Sequence, residues 1–269
     1  MDIIKRKLTN GIWRSDIYYK MANKGSLDKN HFGMRILQNL VPKSGKILDF
    51  GCGDGTRLNL LTRKKGGTGL DISEKAIKIA KNNYPNLKFI QSDLEDVPLD
   101  DNSFDLVYSA FVLEHLNNPE RVIEEALRLL TENGSLVLIA PNYGAPNRCS
   151  PPFKGSRIRK LIFGLARDFI GLFGLNSNLD WKKVNPIVTD TNYHIDCDTT
   201  IEPYLGSLFF YMKNLKLKIQ IYSSCWTEEI ENAKIHQKFF RFLGERGIYP
   251  FNFWGPHLVL LVQKGAYGR

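Results

Sequence analysis

Lys46-Ile47-Leu48-Asp49-Phe50-Gly51-Cys52-Gly53-Asp54-Gly55 is the stretch that decides the fold. A short apolar run passes into a glycine-dense turn, and Leu58 to Lys65 follows as a helix, so the unit reads strand, turn, helix. Without side chains, the glycines let backbone come close to a ligand at the start of that helix. A dinucleotide fingerprint would need glycine where Thr56 stands; here the third glycine comes one residue early, at Gly55, and the nicotinamide or flavin reading loses its main support. Taken alone, a glycine turn is also what any tight strand-to-helix connection requires.

Moving outward, the cycle repeats. Thr68 to Asp71 reads as a strand end, Ser73 as the cap of a helix over Glu74 to Asn83, Leu87 to Gln91 as the next strand and Phe104 to Ser109 as a fourth. Asn118-Pro119 starts a helix with proline at its first position, Arg121 to Leu130 carries an apolar stripe, and Asn133-Gly134 ends it before a strand over Ser135 to Ala140. Strands alternating with helices of this length predict a parallel sheet covered on both faces. Residues 1–43 are expected to form a helical cap, with Phe32, Ile36, Leu37 and Leu40 on one helix face. Residues 44–144 then form the ligand-binding core, 145–200 an inserted basic region, and 201–269 the completion of the sheet. That last part is read as a helix near Pro203 to Lys213, strands at Lys216 to Ser223 and His257 to Gln263, and a helix at Glu228 to Glu245.

Two acids follow the second and third strands at the edge where open parallel sheets bind ligands. A carboxylate at Asp71 can accept both hydroxyl hydrogen bonds of a ribose, although it can equally help cap the helix beginning near Ser73. At Gln91-Ser92-Asp93-Leu94, Asp93 can accept from an exocyclic adenine amine while Leu94 covers the ring.

In order and spacing, LDFGCGDG, GLDIS, SDLEDVPLDDNSFDLVYSAFVLEHL and GSLVLIAPN resemble the class I S-adenosylmethionine-dependent methyltransferases, and Lys46 to Asn142 resembles their ubiquinone/menaquinone-methyltransferase-like (methyltransferase type 11) group. The resemblance implies an α/β, Rossmann-like doubly wound sheet of about seven strands with an antiparallel last strand. It implies S-adenosyl-L-methionine as cofactor and S-adenosyl-L-homocysteine as product. It places Gly51 and Gly53 beside the methionine moiety, Asp71 at the ribose, Asp93 and Leu94 at the adenine and Ala110 at the methionine amino group, with Asp49, Cys52 and Ile72 as further cofactor contacts within the same motifs.

Methyl transfer from a sulfonium is an in-line displacement with an activated leaving group, so orienting the nucleophile can supply much of the rate, about 7 to 11 kcal/mol in intramolecular analogues. An oxygen acceptor of high pKa also benefits from a general base. The candidates are His115, following the fourth strand, and His194, following the insertion; each has an ordinary structural reading as a loop histidine. Tyr108-Ser109-Ala110-Phe111 stands where methyltransferases acting on nucleobase or glutamine amines often carry an Asn/Asp-Pro-Pro-aromatic motif, whose absence argues against those acceptors. The expected acceptor is a small molecule, glycan or lipid-linked compound methylated at oxygen; the alternatives are an RNA or protein methyltransferase and a non-catalytic cofactor-binding protein.

Between Arg157 and Leu175, Ile158, Leu161, Ile162, Leu165, Phe169, Leu172 and Phe173 recur at helical spacing. Residues 145–183 hold eight basic side chains against two acidic ones, a large share of the chain's net charge of +9. Such a helix fits either an active-site lid or an interfacial membrane helix that brings the enzyme to a lipid or lipid-linked substrate. The charge alone is also compatible with nucleic acid, but no nucleic-acid-binding module or aromatic stacking motif accompanies it. Cys52, Cys149, Cys197 and Cys225 form no CxxC pair or His/Cys cluster, so no metal site is expected. The first residues lack the apolar stretch of a secretory signal, and no uncharged run approaches the ~20 residues of a bilayer span. The expected location is cytoplasmic, with peripheral contact at the inner membrane face through 157–175 as its variant.

Overall fold

The computed structural model describes residues 31–41, 45–63, 66–174, 178–187, 196–226 and 233–265. Its helices are α1 (Phe32–Leu40), α2 (Thr56–Thr62), α3 (Glu74–Asn83), α4 (Pro119–Leu129), α5 (Arg157–Leu172), α6 (Leu205–Asn214) and α7 (Ile235–Glu245). The strands are β1 (Ile47–Phe50), β2 (Thr68–Asp71), β3 (Lys88–Gln91), β4 (Phe104–Ala110), β5 (Leu130–Pro141), β6 (Lys182–Lys183), β7 (Ile201–Glu202), β8 (Lys218–Ser223) and β9 (His257–Gln263). Seven of them form one sheet in the order β3-β2-β1-β4-β5-β9-β8, while β6 and β7 pair separately. From β3 to β5 the pairing is parallel, and β9 runs antiparallel to both of its neighbours. The expected seven-stranded sheet with a reversed last strand is what forms.

Alternation within the strands feeds two cores. Leu48, Phe50 and Val107 face one side, where they meet Val122, Ile123 and Ala126 of α4 and Leu205, Leu208 and Met212 of α6. Ile47, Leu106 and Tyr108 face the other, against Met34 and Leu37 of α1, Leu58 and Leu61 of α2, and Ile77 and Ala80 of α3. Local chemistry sets the helix starts: the Ser73 hydroxyl accepts from the Ala76 amide, and Pro119 occupies the first turn of α4. Several boundaries differ from the sequence reading: α2 spans Thr56–Thr62 in place of Leu58 to Lys65, and α7 begins at Ile235 in place of Glu228. Strand β5 begins at Leu130, directly after α4, because Leu130 already pairs with Phe104 and a register shift along β4 absorbs the Asn133-Gly134 irregularity.

Helix α5 is where the structure adds most. Its buried residues are Gly164, Asp168 and Gly171, whereas Ile158, Ile162, Phe163, Phe169, Leu172 and Phe173 are each about 60–70% exposed. The helix is therefore seated by its polar and small face and turns its apolar stripe outward, the reverse of an ordinary amphipathic helix on a soluble core. Close approach explains the glycines: a Cβ at Gly164 would lie 2.5 Å from Pro146, and one at Gly171 would lie 2.5 Å from the Phe210 ring. Asp168 supplies the polar anchor, its Oδ2 accepting from the Tyr204 hydroxyl (2.6 Å), the Trp254 indole N–H (3.0 Å) and the Tyr249 hydroxyl (3.2 Å). Of the aromatic group before β9, Tyr249 and Trp254 thus hold α5, while Phe253 fills the core.

Hydrogen bonds to a charged acceptor contribute about 1.5–3 kcal/mol each, and their donors become unpaired when it is removed. Asp168→Ala should therefore lower unfolding free energy by about 3 kcal/mol in urea denaturation; a loss below about 1 kcal/mol would show that α5 is held by other contacts.

Candidate active site

All five parallel strands end at one edge, and the residues singled out in the sequence gather there. Gly51 and Cys52 direct their amides at the Leu70 carbonyl, at 2.8 and 2.7 Å, which folds the glycine loop over the end of β2. Asp71 closes the loop from the other side: Oδ2 accepts from the Gly53 amide at 2.8 Å and Oδ1 from the Ser73 amide at 2.9 Å. The carboxylate thus caps locally, as the simpler sequence reading had it, yet two amides occupy only part of the roughly four acceptor positions a carboxylate offers. Gly53 has φ +53°, and a Cβ there would meet nothing within 4 Å, so the loop backbone faces open space at this point. Cys52 is buried with its thiol against Gly69; only its backbone is available to a ligand. Ile72 is 39% exposed beside the loop. On the neighbouring strand Asp93 Oδ1 accepts from the Glu95 amide, and Leu94 belongs to the core that includes Leu70 and Val97.

Beneath the loop is a buried polar group that the sequence reading located only in part. Asp49 is fully buried, and neither carboxylate oxygen accepts a hydrogen bond from a described residue. Burial lifts its pKa to about 7, although Arg57 and the nearby Tyr108 hydroxyl oppose the shift. Tyr108 stands beside Asp49 because those two residues are register partners between β1 and β4. Arg57, 7% exposed, donates from Nη1 to the Ala110 carbonyl at 3.2 Å and stacks its guanidinium over Phe111, 5.7 Å from the ring centre. Phe111 adopts φ +60°, a strained backbone for a bulky residue of the kind that clusters at functional sites.

Residues 48–138 match a family model described as a methyltransferase domain. Over those residues the chain is similar to a methyltransferase domain. Among curated relatives, the chain is 30% identical over 138 residues to the demethylmenaquinone methyltransferase of Chlamydia felis, covering 49% of this chain and 59% of that protein. It is 34% identical over 107 residues to a ubiquinone biosynthesis O-methyltransferase of Coxiella burnetii, covering 38% and 45%. The chain thus spans less than two thirds of the length of these relatives. In fold it is similar to a Mesorhizobium loti S-adenosylmethionine-dependent methyltransferase (TM-score 0.51, 18% identity, 86% of this chain and 96% of that one). It is also similar to a chain of the complex between the Haloferax volcanii Trm112 methyltransferase activator and a methyltransferase (TM-score 0.53, 17% identity, 96% and 98%).

The cofactor of this class, S-adenosylmethionine, carries a cationic amino-acid tail, a ribose and an adenine, and the residues present fit it. The buried Asp49 carboxyl, once ionised, would supply the negative charge that an ammonium group needs, the open backbone at Gly53 leaves room for the tail, and the unused acceptor positions of Asp71 suit ribose hydroxyls. The Ala110 carbonyl, already receiving Arg57, keeps a second lone pair.

His115 lies near the same sheet edge. It follows β4 in a short 3-10 turn, Leu113–His115, with Nδ1 3.4 Å from Asp198 Oδ2 and Nε2 3.7 Å from Glu114 Oε1. Burial disfavours its protonation, but Asp198, Glu114 and Asp196 outweigh burial and raise its pKa. Burial lifts Glu114 to about 7, against the pull of His115. Asp71 feels the charge of His115 as well, which places the histidine within electrostatic reach of the cofactor loop. Asp198 was not recognisable from sequence, 83 residues away; it arrives because the Thr200 amide bonds the Glu114 carbonyl at 2.8 Å, tying the end of the insertion to the turn. His194 lies outside the described residues.

Removing the Asp71 carboxylate should weaken S-adenosylmethionine binding by about 10- to 100-fold, the equivalent of about 1.5–3 kcal/mol, in isothermal titration of Asp71→Ala; unchanged affinity would remove it from the site. Asp49 gives a second test. Its pKa is raised in the folded protein, so without ligand its carboxyl holds a proton that the unfolded chain would release, and its ionisation costs stability as pH rises from about 4 towards 7. A cationic tail favours the ionised form, so binding should release a proton and tighten from pH 6 to 8. Asp49→Asn should flatten that dependence; an unchanged slope would place the tail elsewhere.

Proposed function

We propose that the protein is an S-adenosylmethionine-dependent methyltransferase acting at oxygen on a small-molecule or lipid-linked acceptor, with His115 as the general base. The observation that carries this reading is the pairing of a buried histidine and its carboxylates with the glycine-loop site on the same sheet edge. The bound cofactor supplies the methyl group. Asp49, Gly53 and Asp71 orient it, with Asp93, Leu94 and Ile72 at the adenine side. Asp198 holds the imidazole through Nδ1, favouring the tautomer with its lone pair on Nε2, which would take the proton of an acceptor hydroxyl, while Glu114 beside Nε2 stabilises the imidazolium that results.

The quinone-related names of the relatives support a small-molecule acceptor, and the outward apolar stripe of α5 supports one that resides in or near lipid. Among the described residues no helix is long and apolar enough to cross a membrane, so contact of this kind is through a face.

Incubation with radiolabelled S-adenosylmethionine and fractionated cell extract should place label in the lipid or small-molecule fraction; incorporation into RNA or protein instead would overturn the acceptor class. With that acceptor in hand, the rate should rise with pH as the coupled His115–Glu114 pair loses its proton. Asp198→Asn removes a carboxylate that raises the His115 pKa and should move this rise to lower pH, whereas a merely structural role for Asp198 would lower the rate without moving the profile.

A further inference from the structure

Under the inner face of α5 lies a cavity of about 550 Å³ that the cofactor site does not use. Arg159, Lys160, Arg167 and Lys182 line it, against the acids Asp180 and Glu202, and Gly144 brings it to the segment following β5. Much of its donor capacity is unspent. Lys160 Nζ gives two hydrogen bonds, to the Tyr143 carbonyl at 2.7 Å and Glu202 Oε2 at 2.6 Å, leaving a third proton. Arg167 donates from Nη2 to the Gly144 carbonyl, lies over the Tyr204 ring and has its Nε 3.7 Å from Asp168 Oδ1; its Nη1 makes no hydrogen bond to a described residue. Neither Arg159 nor Lys182 donates from its side chain to any described residue, and Lys182 rests its ammonium 4.1 Å from the centre of the Phe153 ring.

Glu202 does not neutralise the cluster. Its Oε1 is occupied by the Ser150 amide and hydroxyl, both at 2.8 Å, and its Oε2 by Lys160, so its charge is matched one for one inside the wall. Two ammonium groups, those of Lys160 and Lys182, share the single Phe153 ring, at 4.8 and 4.1 Å. Like charges brought together in a partly desolvated hollow repel, and burial with the neighbouring Arg167 helps to hold the Lys160 pKa down. The first turn of α5, beginning after Ser156, adds the positive end of a helix to the same hollow. At the mouth, Phe163 is 70% exposed and continues into the apolar stripe of α5. A compact group of two negative charges with several acceptor oxygens, joined to an apolar chain, matches each of these features.

We propose that this cavity binds the phosphate group of a phosphate ester carrying an apolar chain. Arg159 and Lys182 supply the free donors, Lys160 and Arg167 the fixed floor, and the α5 stripe takes the chain. Such a ligand can be a phospholipid headgroup or a phosphorylated lipid-linked acceptor. The inference refines the acceptor side of the proposed function, but binding here is measured without cofactor or turnover, so either reading can fail alone.

Two exposed positions allow the test without disturbing the core. In isothermal titration of the full chain with dihexanoyl phosphatidic acid below its micellar concentration, saturable binding is expected, weakened at least 10-fold in Arg159→Ala/Lys182→Ala, with S-adenosylmethionine affinity unchanged. Glycerol 3-phosphate should bind at least 10-fold more weakly than the chain-bearing ester. Equal binding of the two would overturn the lipid assignment and leave a free-phosphate site, and no saturable binding, or binding indifferent to the double variant, would overturn the site itself. Sedimentation with phosphatidylglycerol vesicles separates the sources: Phe169→Glu should abolish co-sedimentation while leaving the affinity for glycerol 3-phosphate intact. If Phe169→Glu sediments as the wild type does, the stripe takes no chain.

Discussion

The carboxylate of Asp71 is the tie on which the cofactor site depends. One oxygen holds the Gly53 amide and the other the Ser73 amide, so a single side chain joins the glycine loop after β1 to the helix after β2. Without it, the loop amides at Gly51 and Cys52 would still close on Leu70, but Gly53 would lose the acceptor that keeps its backbone turned to open space. Under the proposed function, ligand binding and loop geometry are thus two uses of one carboxylate. Burial raises the pKa of Asp71, and the Ser73 and Gly53 amides and His115 counter that shift, so the contacts that set the loop also limit the cost of recessing its charge.

The polar groups beyond the glycine loop divide at Tyr143. Its hydroxyl donates to Asp196 in the acidic cluster around Glu114, Asp198 and His115, while its carbonyl accepts from Lys160 in the basic cavity. Adjacent residues of one loop therefore separate two regions of opposite sign. An acceptor that places a hydroxyl near His115 and an anionic group near Arg159 and Lys182 would have each end in the field that favours it, and a reversed acceptor would be repelled at both.

Much of this was legible before any coordinates. The strand-turn-helix at Asp49 to Gly55, Asp71 at the end of β2 and the span of β9 follow from apolar alternation and turn chemistry, which are local properties. Arg57 and Tyr108 were missed because their relation to Asp49 is set by pairing across strands; only the β1–β4 register places Tyr108 beside it. Asp198 required the fold to bring the end of an insertion back to the β4 turn.

Helix α5 shows most clearly why periodicity has a limit. The spacing from Ile158 to Phe173 identifies an apolar stripe, but a stripe does not say which side of the helix meets the protein. That depends on what the rest of the chain offers, and here it offers three donors for an acid and narrow gaps at Pro146 and Phe210. The counter-signal was present in the sequence as Lys160, Gly164, Arg167, Asp168 and Gly171, a second stripe at helical spacing composed of small and charged residues. A lone carboxylate flanked by a glycine one turn away on either side marks a face built for close packing around a buried polar anchor. Once that face is taken inward, the apolar side is left to a surface that water alone does not satisfy.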